Sequence, residues 1–188
     1  MTATLPVITE RQSTHHDDRP QAETVSLLVI HNISLPAGEF AKVPQHSYVD
    51  ALFMGTLNCT AHPSFAGLAG VRVSAHCVIW RDGSIFQYVP FAKRAWHAGV
   101  SNFAGRERCN DFSIGIELEG TDNLPYTDQQ YKSLINLTLM IMQQYPAITP
   151  ERIAGHCDIA PGRKTDPGAA FDWMRYRDAI KSALNKPI

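Results

Sequence analysis

The sequence predicts a single α/β domain of mixed α+β character, in which helices flank a central mixed β-sheet. Three observations lead to this fold class. An apolar run at residues 25–30 indicates a buried strand, residues 71–89 resemble a hairpin around the turn dipeptide Asp82-Gly83, and capped helical patterns occupy the second half of the chain. Strands joined both by a hairpin and by longer crossovers are typical of a mixed sheet.

The N-terminal segment gives no secondary-structure signal. Residues 1–23 are polar and aperiodic, so we expect an irregular arm ahead of a domain that spans residues 24–188. Two neighbouring histidines in this arm, His15 and His16, are expected to be exposed to solvent and not to bind metal.

The remaining strands are assigned from alternation. The strands of the hairpin are expected at residues 71–80 and 84–89. Residues 113–119 alternate, with apolar side chains on one face of the strand and Glu117 and Glu119 on the other. A central strand with a glutamate on one face is a suitable platform for catalysis.

Three helices are predicted from their capping residues. Ser47 is the expected N-cap of a short helix over residues 47–54. Thr127 and Gln130 have the spacing of a capping box at the start of a longer amphipathic helix, and Asp172 is the expected N-cap of the last one. Their apolar stripes indicate core packing.

Composition restricts the classes of function. The chain has 188 residues, 44% of them hydrophobic and 19% charged, which fits one domain with a sizeable core. The formal net charge of −1 gives no electrostatic reason to expect nucleic acid as a partner. No apolar stretch approaches the roughly 20 residues of a membrane span, and residues 1–20 lack the apolar core of a signal peptide. We therefore expect a cytoplasmic protein that binds neither nucleic acid nor a membrane. A small-molecule substrate and a monomeric state are further expectations that do not follow from composition.

Two histidines and an aspartate from distant parts of the chain form a possible metal-binding set. His31 ends the apolar strand, and His156 and Asp166 lie in one turn-rich loop. Imidazole nitrogens and a carboxylate oxygen can hold Zn²⁺ while a fourth position stays open for water, as in catalytic zinc sites. Each histidine alone is more simply a core or surface residue, but the combination predicts a zinc hydrolase.

From about residue 26 to residue 176, the chain resembles the zinc-dependent N-acetylmuramoyl-L-alanine amidases. Many of these amidases have a tyrosine at the position of Ala75. Alanine at this position, combined with a glutamate at position 117, resembles the AmpD-like branch of the family. Members of that branch act on 1,6-anhydro-muropeptides in cell-wall recycling. Several motifs in the same order carry the resemblance, at residues 28–32, 73–77, 94–99, 110–120 and 155–168.

The resemblance implies a mixed sheet with flanking helices, a zinc cofactor, and a role for each site residue. His31, His156 and Asp166 would bind the metal ion. Glu117 would be the general base, and Lys164 would stabilise the oxyanion of the intermediate. Glu119 is the rival for the base, because it shares the face of the strand.

The resemblance also places five residues near the substrate, namely Asn32, Arg72, Trp96, Arg108 and Ala160. Arg163, like Arg72 and Arg108, has a guanidinium group that can pair with carboxylates of a muropeptide. Each arginine alone could be an ordinary surface residue. His97 is expected to make a hydrogen bond in the substrate groove and not to bind metal.

The expected reaction is hydrolysis of the amide between the lactyl group of 1,6-anhydro-N-acetylmuramic acid and L-alanine. The resemblance further implies an indirect effect on β-lactamase induction, since these fragments act as an inducing signal. One alternative is a module of the same fold that binds muropeptides without cleaving them. Catalysis by Cys157 with a histidine is another, although no oriented nucleophile and base are evident in the sequence.

Overall fold

A six-stranded mixed β-sheet with helices packed beside it forms the core, which confirms the predicted fold class. The computed structural model describes residues 6–185. Its strands are β1 (Ile8–Glu10), β2 (His16–Asp18), β3 (Leu27–Ile33), β4 (Cys77–Ile79), β5 (Ile85–Gln87), β6 (Lys93–Ala95), β7 (Asn102–Phe103), β8 (Arg106–Glu107), β9 (Ser113–Glu119) and β10 (Ile153–Gly155). The α-helices are α1 (Tyr48–Phe53), α2 (Asp128–Gln144), α3 (His156–Ile159) and α4 (Trp173–Leu184), and short 3₁₀ helices occur at Pro44–His46, Pro63–Leu68, Cys109–Asp111 and Pro150–Arg152.

The two longest strands, β3 and β9, lie next to each other in parallel at the centre of the sheet. The full strand order is β1-β5-β4-β9-β3-β10. The register pairs His31 with Glu117, and since side chains of paired positions point to the same face, these two lie side by side. Parallel strands buried on both faces are expected to be rich in apolar residues, as β3 and β9 are.

Helices α2 and α4 cover the face of the sheet opposite His31 and Glu117. Alternation along β3 and β9 directs the even-numbered apolar side chains of both strands to this face, where they join one buried cluster with both helices. Its members include Leu28, Ile30, Ile114, Ile116, Leu134, Leu137, Ile141, Tyr176 and Ile180. The opposite face carries Leu27 and Val29, which belong to a second buried cluster, together with His31 and Glu117.

The three predicted helices begin at the predicted caps. Ser47 and Asp172 each accept a backbone N–H of the first helical turn at 2.9 Å. Thr127 and Gln130 form the complete capping box at the start of α2. These contacts satisfy backbone donors that would otherwise lack partners at the helix ends.

The predicted hairpin is present, but its first strand was predicted too long. Strands β4 and β5 pair antiparallel over three positions each. Residues 71–74 do not belong to the sheet, because the backbone N–H of Ser74 donates to the carbonyl of Trp96 at 3.2 Å. The chain joins the sheet only where His76 N–H donates to the carbonyl of Gly115 at 3.0 Å.

The prediction of an irregular arm before residue 24 is wrong at residues 8–10 and 16–18, which form strands. Residues 1–5 of this arm, and residues 186–188 at the end of the predicted domain, lie outside the described residues. Strand β1 pairs with β5 in parallel at the edge of the sheet, and β2 pairs with β6 antiparallel. His15, expected to be exposed, is buried. Three-residue strands are too short to show alternation, which explains why no periodic pattern marked them.

Arg19 anchors this N-terminal segment in the protein. Its guanidinium group donates to four backbone carbonyls, those of Phe91, Asn110, Asp111 and Ser113, at 2.9 to 3.1 Å. Burial lowers the pKa of Arg19 to about 10, which leaves it charged at neutral pH. A single cation therefore holds the start of β9 and the loop before β6.

We expect Arg19→Met to lower the free energy of unfolding by about 3 kcal/mol or more, because buried acceptors would lose a charged donor. Urea unfolding of purified protein measures this loss. Arg175→Met is the control, since it removes an exposed ion pair with Asp128 that is expected to contribute less than about 1 kcal/mol. Equal losses in the two variants would contradict the anchoring role.

Within the described residues, we find no helix that combines the length and the apolar character required to cross a membrane.

Candidate metal centre and active site

Three donor atoms from the predicted ligands converge at the end of β3. His31 is in β3, His156 is the first residue of α3, and Asp166 lies in the loop that follows. The two Nδ1 atoms are 3.0 Å apart, and Asp166 Oδ2 lies 3.0 Å from that of His31 and 3.1 Å from that of His156. Ligands bound tetrahedrally at about 2.0 to 2.1 Å lie roughly 3.3 Å from each other, so this triangle is close to the size that one metal ion requires.

The hydrogen bonds around His156 show why a cation fits this triangle. His156 Nε2 lies 3.1 Å from the carbonyl of Ala98, which can only accept, so Nε2 carries the proton and Nδ1 presents a lone pair. Asp166 is a carboxylate at neutral pH. Two acceptors therefore face each other at 3.1 Å with no proton between them. A divalent metal ion bound by both atoms removes this conflict.

His31 also has the charge state that a metal ligand needs. Its side chain is buried, and burial lowers its pKa to about 4, with His156 and Lys164 acting in the same direction and Asp166 in the opposite one. The imidazole is therefore neutral at physiological pH and can donate a lone pair.

Glu117 lies beside His31, and its carboxylate is buried. Its side chain is 8% exposed, and among residues 6–185 its Oε2 has no hydrogen-bond partner. Burial raises the pKa of Glu117 well above its usual value; the charge of Asp166 adds to this, and that of Lys164 opposes it. A carboxylate whose pKa is moved toward neutrality can both take up and return a proton.

A comparison with protein families identifies the chain. A family model described as N-acetylmuramoyl-L-alanine amidase matches residues 21–169. The chain belongs to this amidase family. The 1,6-anhydro-N-acetylmuramyl-L-alanine amidase AmpD of Escherichia coli (strain K12) is 63% identical to it over 165 residues, which cover 88% of this chain and 87% of the relative. The enzyme class predicted from the sequence is confirmed.

Solved structures agree with the fold of this amidase. A crystal structure of a selenomethionine derivative of AmpD has a TM-score of 0.88 and 59% identity, and the match covers 96% of this chain and 98% of the other. The amidase AmiD from E. coli, solved in complex with anhydro-N-acetylmuramic acid-L-Ala-D-γ-Glu-L-Lys, has a TM-score of 0.60 and 30% identity over 86% of this chain and 60% of that one.

Three of the predicted substrate residues of this amidase line one surface cleft of about 550 Å³. Arg108 is exposed and pairs with Asp111 at 3.2 Å. Arg163 donates to the carbonyls of Ala98 and Val100 at 2.6 and 2.7 Å, which directs its guanidinium toward the cleft wall. Ala160 is the third residue and is buried.

Asn32 lines a second cleft, of about 480 Å³, together with Lys164 and Asp166. The amide nitrogen of Asn32 already donates to Asp122 Oδ1 at 2.8 Å and to the carbonyl of Pro167 at 3.1 Å. Its side-chain oxygen is therefore the atom available to a ligand. Lys164 is exposed at the edge of this cleft.

Arg72 and Trp96 are close to each other and line neither of these two clefts. The guanidinium carbon of Arg72 lies 5.4 Å from the centre of the Trp96 ring. Trp96 is also stacked on His15 and donates to Asp17 Oδ1 at 3.1 Å, so the N-terminal segment fixes its position. A role of either residue in substrate binding stays a prediction.

The structure disfavours both rivals for catalysis. Glu119 accepts the backbone N–H groups of Ala41 at 2.7 Å and Arg81 at 3.2 Å, so both of its oxygens are engaged in holding loops. Burial raises the pKa of the Cys157 thiol, and the nearby Asp158 and Asp166 add to this effect. A thiol with a raised pKa is a poor nucleophile at neutral pH.

His97 makes hydrogen bonds, as expected, but its partners are the buried His31 and Ser113 and not groups of a surface groove. Its ring is buried, and its Nδ1 lies 2.9 Å from His31 Nε2. The sequence offered a histidine next to Trp96 but no signal for the pairing, which depends on a contact between residues 66 positions apart.

The buried His76 predicts how stability depends on pH. Burial lowers its pKa to about 3, and the charge of Arg19 adds to this, so His76 is neutral in the folded protein. In the unfolded chain it protonates near pH 6.5, so the unfolded state binds more protons below that value. Stability should therefore fall as the pH drops from about 6.5 toward 3, by up to about 1.4 kcal/mol per pH unit for this group.

The measurement is urea unfolding at several pH values between 7 and 4, with a chelator present in every sample. His76→Gln is the matched variant, because its amide can replace the donor that bonds the Lys93 carbonyl at 3.1 Å but does not protonate in this range. We expect a shallower pH dependence for the variant. Parallel curves would show that His76 does not contribute.

Proposed function

We propose that this amidase uses a bound zinc ion to hydrolyse the amide between the lactyl group of 1,6-anhydro-N-acetylmuramic acid and L-alanine. The reaction releases the stem peptide in cell-wall recycling. The observation that carries the proposal is the triangle of His31 Nδ1, His156 Nδ1 and Asp166 Oδ2, with donor atoms 3.0 to 3.1 Å apart and Glu117 beside it. The relative named as a 1,6-anhydro-N-acetylmuramyl-L-alanine amidase supports the choice of substrate.

Zinc is the metal we propose, because two imidazole nitrogens and one carboxylate oxygen are a typical ligand set of catalytic zinc. When bound, zinc lowers the pKa of a coordinated water to about 7 and polarises a carbonyl. The protein would supply two further functions. Glu117 Oε2 accepts a proton from the attacking water and delivers it to the nitrogen of the leaving L-alanine. The ammonium group of Lys164 stabilises the negative charge that develops on the carbonyl oxygen.

The two clefts, one of which includes Asp166, would bind the rest of the substrate. A stem peptide carries carboxylates, and guanidinium groups bind carboxylates through paired hydrogen bonds. Arg108 and Arg163, which line the same cleft, suit this role. The AmiD complex with an anhydro-muropeptide supports a ligand of this chemistry. Asn32 would contribute its side-chain oxygen, and Arg72, Trp96 and Ala160 would complete the binding surface.

We further propose that the enzyme acts as a cytoplasmic monomer on the imported fragment, as the resemblance to recycling amidases implies. Size-exclusion chromatography with light scattering tests the oligomeric state. Fractionation of cells tests the location.

The deciding experiment is mass spectrometry of a purified anhydro-muropeptide after incubation with the zinc-loaded protein. Free stem peptide and 1,6-anhydro-N-acetylmuramic acid are expected, their formation should stop with a chelator, and added zinc should restore it. A matched muropeptide with a reducing N-acetylmuramic acid tests the preference for the anhydro form. Intact substrate in a sample whose zinc content is verified would overturn the proposal and favour a module that binds without cleaving.

A further inference from the structure

We propose that His97 is a positioning residue that fixes the tautomer of His31. Together with the carbonyl of Ala98, it directs the lone pairs of both histidine ligands toward the metal ion. The inference rests on the metal site of the proposed function. It assigns a role to a residue that contacts neither substrate nor metal.

The direction of each hydrogen bond follows from a series of hydrogen bonds that starts at the backbone carbonyl of Cys109. The carbonyl of Cys109 can only accept, so the hydroxyl of Ser113, 2.6 Å away, must donate to it. Ser113 Oγ is then left to accept from His97 Nε2, which lies 3.2 Å away. The proton of His97 is therefore on Nε2, and its Nδ1 carries a lone pair.

The same reasoning then fixes His31. His97 Nδ1 accepts, so His31 Nε2, at 2.9 Å, must donate to it. A neutral imidazole has one N–H, so Nδ1 of His31 carries the lone pair that points to His156 and Asp166. Hydrogen bonds of this kind to the distal nitrogen of a ligand orient its ring and set its tautomer.

The second ligand is oriented by the next residue in the chain. His156 Nε2 donates to the carbonyl of Ala98 at 3.1 Å. The side-chain oxygen of Asn110 accepts the backbone N–H groups of His97 at 3.1 Å and Ala98 at 2.8 Å, which fixes both residues at once. His97 and Ala98, both held by Asn110, thus determine which nitrogen of each histidine ligand carries the lone pair.

Gly115 leaves the space that the His97 ring occupies. A Cβ atom at Gly115 would lie 2.5 Å from both Cγ and Nδ1 of His97, a distance that requires the ring to move. The ring is also bordered by the histidines at 31 and 76. Among the described residues, no carboxylate is hydrogen-bonded to the ring, so a protonated His97 would be a buried charge without a partner, and the neutral form is favoured.

The first test is the tautomer itself, read from ¹⁵N–¹H correlation spectra of histidine-labelled protein with and without zinc. We expect the Nε2–H form for His97 in both samples and the Nε2–H form for His31 and His156 with zinc bound. A His97 that carries its proton on Nδ1 would overturn the proposal, whatever the activity of the protein.

The second test is zinc affinity, measured by competition with a chelator. His97→Phe keeps a ring but loses the acceptor, and we expect about 10- to 100-fold weaker binding. In His97→Asn, the amide oxygen can take the place of Nδ1, so affinity within a few-fold of the wild type is expected. Gly115→Ala, which displaces the ring without altering it, should weaken binding as well.

A stability control separates metal affinity from folding. Thr138→Val removes a buried hydrogen bond of 2.6 Å to Tyr176 Oη in the helix layer, and it should lower stability without changing zinc affinity. Wild-type affinity in His97→Phe, or an equal loss in His97→Asn and His97→Phe, would overturn the proposal. A wild-type protein that binds no zinc would instead refute the proposed function, and the tautomer of His97 in that metal-free protein would still decide the inference.

Discussion

Replacing Glu117 by glutamine is expected to reduce turnover by about 10²- to 10⁴-fold while zinc remains bound. Glutamine preserves the shape of the side chain but cannot accept a proton. Its Oε2 has no hydrogen-bond partner in the described part of the chain, and the carboxylate is buried with a raised pKa; these are the features of a group that moves protons. Steady-state rates with an anhydro-muropeptide, together with zinc analysis of the same sample, measure both parts of the expectation.

Glu119→Gln is the matched control, because Glu119 lies two positions along the same strand and on the same face. Its carboxylate holds the backbone of Ala41 and Arg81, so the substitution should lower stability. The rate per folded molecule should stay near that of the wild type. If Glu117→Gln keeps near-normal turnover, or if both variants lose turnover equally, Glu117 is not the base.

Asp166→Asn is expected to abolish zinc binding and to stabilise the metal-free protein. In the wild type without metal, the Asp166 carboxylate and the lone pair of His156 Nδ1 face each other at 3.1 Å. An amide at this position can donate to that nitrogen, so the repulsion between two acceptors becomes a hydrogen bond. The lost ligand should also lower the rate by about 10³-fold or more, since a catalytic metal contributes several kcal/mol to transition-state stabilisation.

Thermal unfolding with and without zinc measures this effect directly. A ligand at 1,000 times its dissociation constant stabilises the folded state by about 4 kcal/mol, so the wild-type midpoint should rise on adding zinc. The midpoint of Asp166→Asn should not respond to zinc and should exceed that of the metal-free wild type. Asp128→Asn, which alters an exposed carboxylate in α2, serves as the control with an intact zinc response. A zinc-dependent rise in Asp166→Asn would remove Asp166 from the ligand set.

Much of the scaffold could be predicted because its signals are local. The capping box of Thr127 and Gln130 lies within four consecutive residues, and the alternation that places Glu117 on the polar face lies within one strand. Local patterns of this kind can be recognised in a single sequence. They fix which elements form and which side chains share a face.

The parts that could not be predicted depend on long-range contacts between short elements. Arg19 is a single arginine in a polar segment, and its burial follows from carbonyls more than 70 residues away in sequence. The pairing of His97 with His31 and the engagement of Asn32 by Asp122 likewise arise only when the sheet is assembled. No periodicity reports such contacts.

The parallel register of β3 and β9 has a consequence for how this active site can change. Adjacent strands are separated by about 4.8 Å, and a shift of one residue turns every side chain to the other face. The spacing between His31 and Glu117 can therefore not be adjusted gradually by mutation, because the sheet admits only whole-residue steps. Lys164 and Asp166 lie on a loop, where insertions and substitutions can move a side chain by small amounts. Variation in specificity should accumulate on the loop, and attempts to redesign this enzyme should alter the loop and leave the strand pair unchanged.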